Sequence, residues 1–269
     1  ALPISEPMIY IASRDWANRV GRGAEIDFTT GKSVVQPVDV YSNLENIELL
    51  HNGISLGVNQ PDEINKAVWD VPFIPGNNFI EVRGEKNGKL YQDFLDIEFT
   101  YMVTTWHEDT ANFSELFINA GYNGEFIDQS GQIWLPDQSY QKNSYGHIGG
   151  TASMFEKDLI IVNCKNLEPI YSYYLKDMKG YRLDVPDGDY EVELYFAEPE
   201  DLNDNERVFN VLINDQLVFK ELDLAKKYGV NKAVSRCFII SVSHGDGLNV
   251  AFEKIIGEPV LNAVRVKRK

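Results

Sequence analysis

The chain of 269 residues is 43% hydrophobic and 25% charged, which is ordinary for globular protein and long enough for two domains. Its net charge of −16 and pI near 4.7 repel a phosphate backbone and argue against a nucleic-acid role. No run approaches 18 uninterrupted apolar residues, which argues against a membrane helix. The two cysteines, Cys164 and Cys237, are too few for a disulfide scaffold. Cys237 lies in the apolar run CFIISV and is expected to be a buried free thiol; a bridge to Cys164 would demand close Cβ geometry. The chain opens Ala-Leu-Pro-Ile-Ser, with no initiator Met and no basic-then-apolar leader. A processed product or a piece of a longer protein is therefore expected, in a periplasmic or extracellular setting.

In the first hundred residues, short β-branched and aromatic runs alternate with turn signals. Strands are predicted at Ile26–Phe28, Val38–Tyr41, Ile47–Leu50, Ile54–Leu56, Ala67–Val71, Phe79–Arg83 and Leu90–Phe99. Asn52-Gly53 and Asn87-Gly88 are type I′ hairpin signals, because both residues of such a turn need φ > 0. Pro75-Gly76-Asn77 marks another turn. This spacing predicts a sandwich of the immunoglobulin type over residues 1–103. The polar segment Thr104–Asn112 lacks alternation and is expected to link the halves.

Residues 113–269 again read as β. In Tyr190–Phe196, Val192, Leu194 and Phe196 share one face, while Glu191, Glu193 and Tyr195 share the other, the period of a half-buried strand. Val208–Ile213, Leu217–Phe219, Phe238–Val242, Leu248–Phe252 and a closing strand Leu261–Val266 follow, with turns at Asp187-Gly188, Asn214-Asp215 and His244–Gly247. One short helix is predicted around Leu222–Tyr228, stopped by Gly229.

Several of these segments, in this order, resemble the malectin family of carbohydrate-binding modules: Phe117–Gly121, Trp134–Asp137, Tyr145–Gly150, Tyr181–Pro186, Tyr190–Glu198, Arg207–Asn214 and Pro259–Val264. The resemblance implies a jelly-roll type β-sandwich that holds an oligosaccharide with loop aromatics and a carboxylate. It places Tyr145 on a sugar-contacting tyrosine and Glu258 on the aspartate near the last strand. It also shows departures. Where the family's binding member has two adjacent aromatics this chain has Glu200 and Asp201, and a further family tyrosine aligns near Lys176. The stretches Val38–Asn43, Ile47–Gly57, Ala67–Gly76 and Glu81–Lys89 resemble the immunoglobulin-like domain that follows the catalytic barrel in family-two glycoside hydrolases of the β-galactosidase type. Both resemblances imply the C-terminal region of such an enzyme, with an upstream catalytic domain as partner.

Chemistry is sparse in the sequence. Two β-domains leave no room for a (β/α)₈ barrel of about 250 residues. Among 41 acidic residues, some pair will fall at the ~5 Å of a retaining glycosidase by chance. His51, His107, His147 and His244 lack any metal-ligand spacing and read as loop or surface residues. No GxSxG elbow or P-loop is present. Asp201, Asn203 and Asp204 offer oxygen ligands of the kind Ca²⁺ takes. Their loop lacks the EF-hand glycine, so a solvated acidic loop is the plainer reading.

Pyranose rings stack on flat aromatics and pair their hydroxyls with carboxylates and amides. Trp134, Tyr140, Tyr145, Tyr171, Tyr173 and Tyr174, beside Asp137, Gln138 and Asn143, are with Glu258 the candidate carbohydrate-binding residues, and no residue is expected to be catalytic. The reading is an all-β, two-sandwich, non-catalytic region that binds or orients oligo- or polysaccharide. The alternative is a purely structural role, supporting a barrel or an oligomer.

Overall fold

The structure is a computed structural model that describes residues 6–12, 14, 17–106, 113–155 and 168–269. It divides into two compact units, Ala1–Val103 and Thr104–Lys269. The first holds β1 (Ile9–Ile11), β2 (Asn18–Ala24), β3 (Val34–Ser42), β4 (Ile47–His51), β5 (Ile54–Asn59), β6 (Lys66–Phe73), β7 (Gly76–Lys86) and β8 (Lys89–Thr105), which crosses the division. They form two sheets, ordered β1-β3-β6 and β2-β8-β7-β4-β5. On β6, Ala67, Trp69, Val71 and Phe73 are buried while Val68 and Asp70 face solvent. Val38, Val40, Ile80, Val82, Ile97 and Phe99 complete the core with them.

Both Asn-Gly pairs make the expected tight hairpins, with φ 50° and 80° at Asn52-Gly53 and 53° and 74° at Asn87-Gly88. Ile26–Phe28 is not a strand. Asp27 caps a 3-10 turn at Phe28–Thr30 and accepts from Thr29 N at 3.0 Å, a local bond that competes with strand pairing. His51, expected at the surface, is buried at the end of β4, 2.9 Å from Asn78 Oδ1.

The second unit contains β9 (Glu115–Asn119), β10 (Phe126–Ile127), β11 (Ile133–Pro136), β12 (Tyr145–Met154), α1 (Glu168–Ser172), β13 (Tyr173–Leu183), β14 (Gly188–Phe196), β15 (Val208–Ile213), β16 (Gln216–Leu222), α2 (Leu224–Tyr228), β17 (Val234–Val242), β18 (Leu248–Ile256), β19 (Val260–Leu261) and β20 (Ala263–Arg268). One sheet runs β10-β11-β9-β20-β14-β17, the other β12-β13-β18-β15-β16 with β19 beside β13. Two sheets with one buried face each are the sandwich that the alternating strands require. Asp223 caps α2 and Gly229 ends it with φ 92°. Among the described residues no helix is long and apolar enough to cross a membrane.

Three local expectations change here. Thr104 and Trp106 are buried in the second unit, with Thr104 O accepting from Ser144 Oγ at 2.6 Å and the Trp106 ring 5.5 Å from Phe113; 107–112, His107 included, lie outside the described residues. Cys237 is an exposed free thiol, because on β17 the inward positions go to Ile240 and Val242; Cys164 lies outside the described residues. Tyr195, predicted on the wet face of β14, is buried. Its ring packs edge-on to Trp134 at 5.6 Å, in a satellite core with Phe117, Ile170, Tyr171, Ala197, Ala233 and Ala263.

The closing strand is broken at Asn262, where the chain leaves one sheet for the other. β19 pairs with β13, whereas β20 lies between β9 and β14. Asn262 is fully buried. Its Nδ2 donates to Tyr173 O at 2.8 Å and its Oδ1 accepts from Ala197 N at 2.7 Å. Its backbone N donates to Tyr195 O at 2.9 Å and its carbonyl accepts from Ala120 N at 2.8 Å. Asn262→Ala strands the buried Ala197 N–H and the part-buried Tyr173 C=O; a stranded buried group costs about 1–3 kcal/mol. Urea unfolding should show the second unit weakened by about 2–4 kcal/mol; a loss below about 1 kcal/mol would remove Asn262 from this role.

Candidate functional site

The seven candidate aromatic and acidic residues separate by burial. Four are core. Trp134 is 1% exposed and donates Nε1–H to Asp128 Oδ2 at 3.0 Å, its ring parallel to Phe126. Tyr145 is 1% exposed and donates its hydroxyl to Pro136 O at 2.9 Å. Tyr171 is buried in the satellite core, and Tyr174 is buried edge-on to Phe155 at 5.3 Å. These rings present no free face to a pyranose. They are inside because the sheets end in aromatic-rich strands that need covering, and large aromatics bury 150–250 Å² each.

Three remain accessible. Tyr140 is half-buried and held at both ends: its hydroxyl donates to Asp184 Oδ2 at 2.7 Å, and the Arg182 guanidinium lies 5.7 Å from its ring centre. Burial, reinforced by the Asp184 carboxylate, pushes the Tyr140 phenol up from its ordinary range. Tyr173 is half-buried, with its ring 4.5 Å from Tyr122 and tilted by 34°. Tyr122 is not among the sequence candidates. The Asn119-Ala120-Gly121 run that precedes it is its only sequence cue. Gly121 has φ 80°, and a Cβ there would lie 2.4 Å from Tyr174 O, so only glycine lets β9 end against β13 and bring the two tyrosines together.

Glu258 belongs to a charge network that fills the other aligned positions. Lys176 Nζ lies 2.9 Å from Glu200 Oε1 and 3.1 Å from Glu258 Oε2. Arg207 pairs with Glu198, and its Nη2 reaches Glu200 Oε2 at 3.1 Å. Glu198 and Arg207 are buried, whereas Lys176, Glu200 and Glu258 are 30, 35 and 38% exposed at their side chains. Burial raises the Glu198 carboxyl above its ordinary value against the pull of Arg207. For Glu200, burial pushes upward but Lys176 and Arg207 outweigh it, and the carboxyl lies below the usual range. Glu200 and Glu258 raise Lys176. Three carboxylates meet two cations, so the exposed rim is acidic.

A second polar centre surrounds Asp137, between β11 and β12. Its Oδ2 accepts from Gly121 N at 2.8 Å; its Oδ1 accepts from Gln138 N at 2.8 Å and from Tyr181 OH at 2.7 Å. His147 Nδ1 stands 3.0 Å from the same oxygen. Asp137 raises the His147 imidazole above its ordinary value against the effect of burial.

The loop that follows Glu200 is tied to itself. Glu206 Oε2 accepts from Asn203 N at 2.7 Å and Asp223 Oδ2 accepts from Asn205 N at 2.7 Å. Asp201 and Asp204 are exposed, and no group of three or more His, Cys, Asp or Glu among the described residues converges to hold a metal.

Residues 114–264 match the Malectin domain model. The chain belongs to the malectin-domain family. Residues 33–92 match a second model, Domain of unknown function DUF4982. Solved structures of β-glucuronidases from Bacteroides uniformis are similar along nearly the whole chain. One is 32% identical with a TM-score of 0.84, covering 98% of this chain and 30% of that one. A calcium-binding mutant of β-glucuronidase 2 is 30% identical with a TM-score of 0.84, covering 99% and 31%. A Formosa agariphila protein that carries a provisional β-glucuronidase name is 31% identical over 122 residues, 44% of this chain and 14% of its own length. The chain thus spans under a third of these relatives. Both domain matches and the whole-length likeness are those of the C-terminal region of a family-two glycoside hydrolase.

The His147–Asp137 contact links this malectin-type unit to pH. The folded imidazole is raised above 6.5, so its stabilisation is complete below the unfolded value of about 6.5 and is lost as pH rises through the folded value. Unfolding free energy measured upward from pH 6 should therefore decline in wild type, and His147→Gln should flatten that decline. An unchanged slope in the variant would assign the decline to another group.

Proposed function

We propose that this region is a non-glycosidic accessory to a family-two glycoside hydrolase, and that its malectin-type unit orients a neutral, hydroxyl-rich oligosaccharide for an upstream catalytic domain in a periplasmic or extracellular setting. The observation that carries the reading is the pairing of Tyr122 and Tyr173, two half-exposed rings 4.5 Å apart; Lys176, with its partners Glu200 and Glu258, follows three residues along β13 and projects to the opposite face of the strand. Exposed aromatic faces are an ordinary component of a sugar site. The Bacteroides uniformis relatives are named for glucuronide hydrolysis, but an acidic sugar is disfavoured at this rim: a uronate would meet two exposed carboxylates for one exposed ammonium.

A structural reading is favoured by a different observation. Lys176, Glu200, Glu258 and Arg207 are already paired with one another, and a sugar must compete with those pairs. Ligand-observed NMR with neutral gluco- and galacto-oligosaccharides, and with glucuronides, separates the two. Neutral sugars should bind, glucuronides more weakly, and Tyr173→Ala should weaken binding roughly tenfold, the equivalent of ~1.4 kcal/mol. Silence toward every sugar at millimolar concentration, together with a parent enzyme destabilised by deletion of the region, would leave the structural reading standing.

A further inference from the structure

The sheet geometry around Asp137 assembles three side chains that no sequence motif brings together. Ser139 and His147 form an isolated parallel bridge, held by Tyr140 N donating to His147 O and His147 N donating to Gln138 O, both at 2.9 Å. Residues paired in this way project their side chains to the same side, and residues two apart on one extended segment share a face. Asp137, Ser139 and His147 therefore meet. Ser139 Oγ is 3.3 Å from His147 Nε2, and His147 Nδ1 lies 3.0 Å from Asp137 Oδ1 as an ion-pair contact that is not aligned as a hydrogen bond and would have to tighten on substrate binding.

Exposure grades along the row. The Asp137 side chain is 4% exposed and that of His147 20%, and Ser139 is open to solvent. Asp137 is fixed by three further donors, Gly121 N, Gln138 N and Tyr181 OH, so it cannot swing away from the imidazole. A buried carboxylate behind a histidine whose far nitrogen meets a serine hydroxyl is the arrangement that activates serine as a nucleophile, and it is recognised by geometry and not by chain order. Neither bond of the bridge uses Ser139 N–H, so that amide is directed away from β12, beside its own Oγ.

We propose that Ser139, His147 and Asp137 form a surface acyl-transfer site that hydrolyses small carboxylic esters. Ser139 Oγ adds to the ester carbonyl carbon as its proton passes to His147 Nε2, and the carbonyl π pair moves onto oxygen, where Ser139 N–H is available as donor. Collapse breaks the bond to the leaving oxygen, which departs as an alcohol with the proton from His147 Nε2, leaving acyl-Ser139. Water then adds to the acyl carbon, giving one proton to His147 Nε2. The second collapse returns that proton to Ser139 Oγ and releases the acid. The balance is ester plus water to acid plus alcohol, with no oxidant or metal. The open setting suits a short acyl group such as acetyl on an accessible alcohol.

The test uses the full chain and a fluorophosphonate probe read by intact mass and peptide mapping, with 4-nitrophenyl acetate turnover in parallel. Wild type should take up one phosphonyl group at Ser139, and S139A should take up none and lose acetate release. H147Q should slow labelling at least a hundredfold, the ordinary contribution of a positioned general base. If H147Q does not fold, the wild-type labelling rate between pH 5 and 9 replaces it and should rise through one ionisation lying above 6.5. Absence of label at Ser139, a rate unchanged by H147Q, or a flat pH profile would each overturn the proposal. These outcomes are independent of whether the chain binds any oligosaccharide.

Discussion

The sandwich of the second unit depends on one residue satisfying four buried polar groups at the place where the last strand changes sheets. Strands normally pair within one sheet, and a chain that leaves one sheet for the other must break its ladder and bury orphaned amides. Asn262 resolves this because its side chain carries a donor and an acceptor of backbone type. It ties Tyr173 on β13 to Ala197 beyond β14, while its own backbone bonds Ala120 and Tyr195. Aspartate could not donate to Tyr173, and leucine could serve neither side. The crossing therefore selects asparagine on hydrogen-bond inventory alone.

The position of the candidate surface follows from that crossing. By fixing the end of β13 against β9, Asn262 and Gly121 bring Tyr173 beside Tyr122 and leave Lys176 at the register of Val260, two residues from Glu258. The same crossing closes the satellite core over Trp134 and Tyr171. Aromatic rings that could have served a ligand are thereby committed to packing, and the rim is left to charged groups. Buried Arg207 and Glu198 illustrate the cost. Their attraction opposes the desolvation of two ions; Glu200 assists by accepting from Arg207 and donating its amide to Glu198, while Glu198 Oε2 and Arg207 Nε are left without a hydrogen-bond partner among the described residues. This arrangement is more informative about specificity than about stability, because a net acidic rim repels any anionic ligand.

Much of the fold was legible in the chain because period-two alternation and Asn-Gly pairs are local signals. The φ > 0 that Asn52-Gly53 and Asn87-Gly88 require is a property of the dipeptide itself. The failures are of another kind. Ile26–Phe28 has β-type residues but sits beside Asp27, whose side chain bonds the backbone two residues on. Cys237 lies in an apolar run, yet on a strand alternate residues of such a run face out. The site was less legible still. Whether Tyr145 or Tyr173 meets solvent depends on Pro136 and Tyr122, which are adjacent only in space, and no spacing rule distinguishes a tyrosine that covers a sheet end from one beside it. Glu200 and Lys176 were visible as departures from a family pattern, but that they pair with each other and with Glu258 is a property of three separate strands and loops.

Asp137 shows how one group serves structure and chemistry at once. A carboxylate that accepts from Gly121, Gln138 and Tyr181 is needed to close the loop between β11 and β12, so it would be present in a purely structural domain. The same constraint sets an immobile buried anion 3.0 Å from His147 Nδ1. The backbone bridge between His147 and Ser139 then brings the imidazole to the serine hydroxyl at the surface. The net charge of −16 favours the imidazolium and disfavours a developing oxyanion, which limits the rate such a row can reach without dedicated donors. Catalytic power at Ser139 must therefore come from orientation more than from field, and this separates it from the dedicated hydrolases in which an oxyanion hole supplies the largest single contribution.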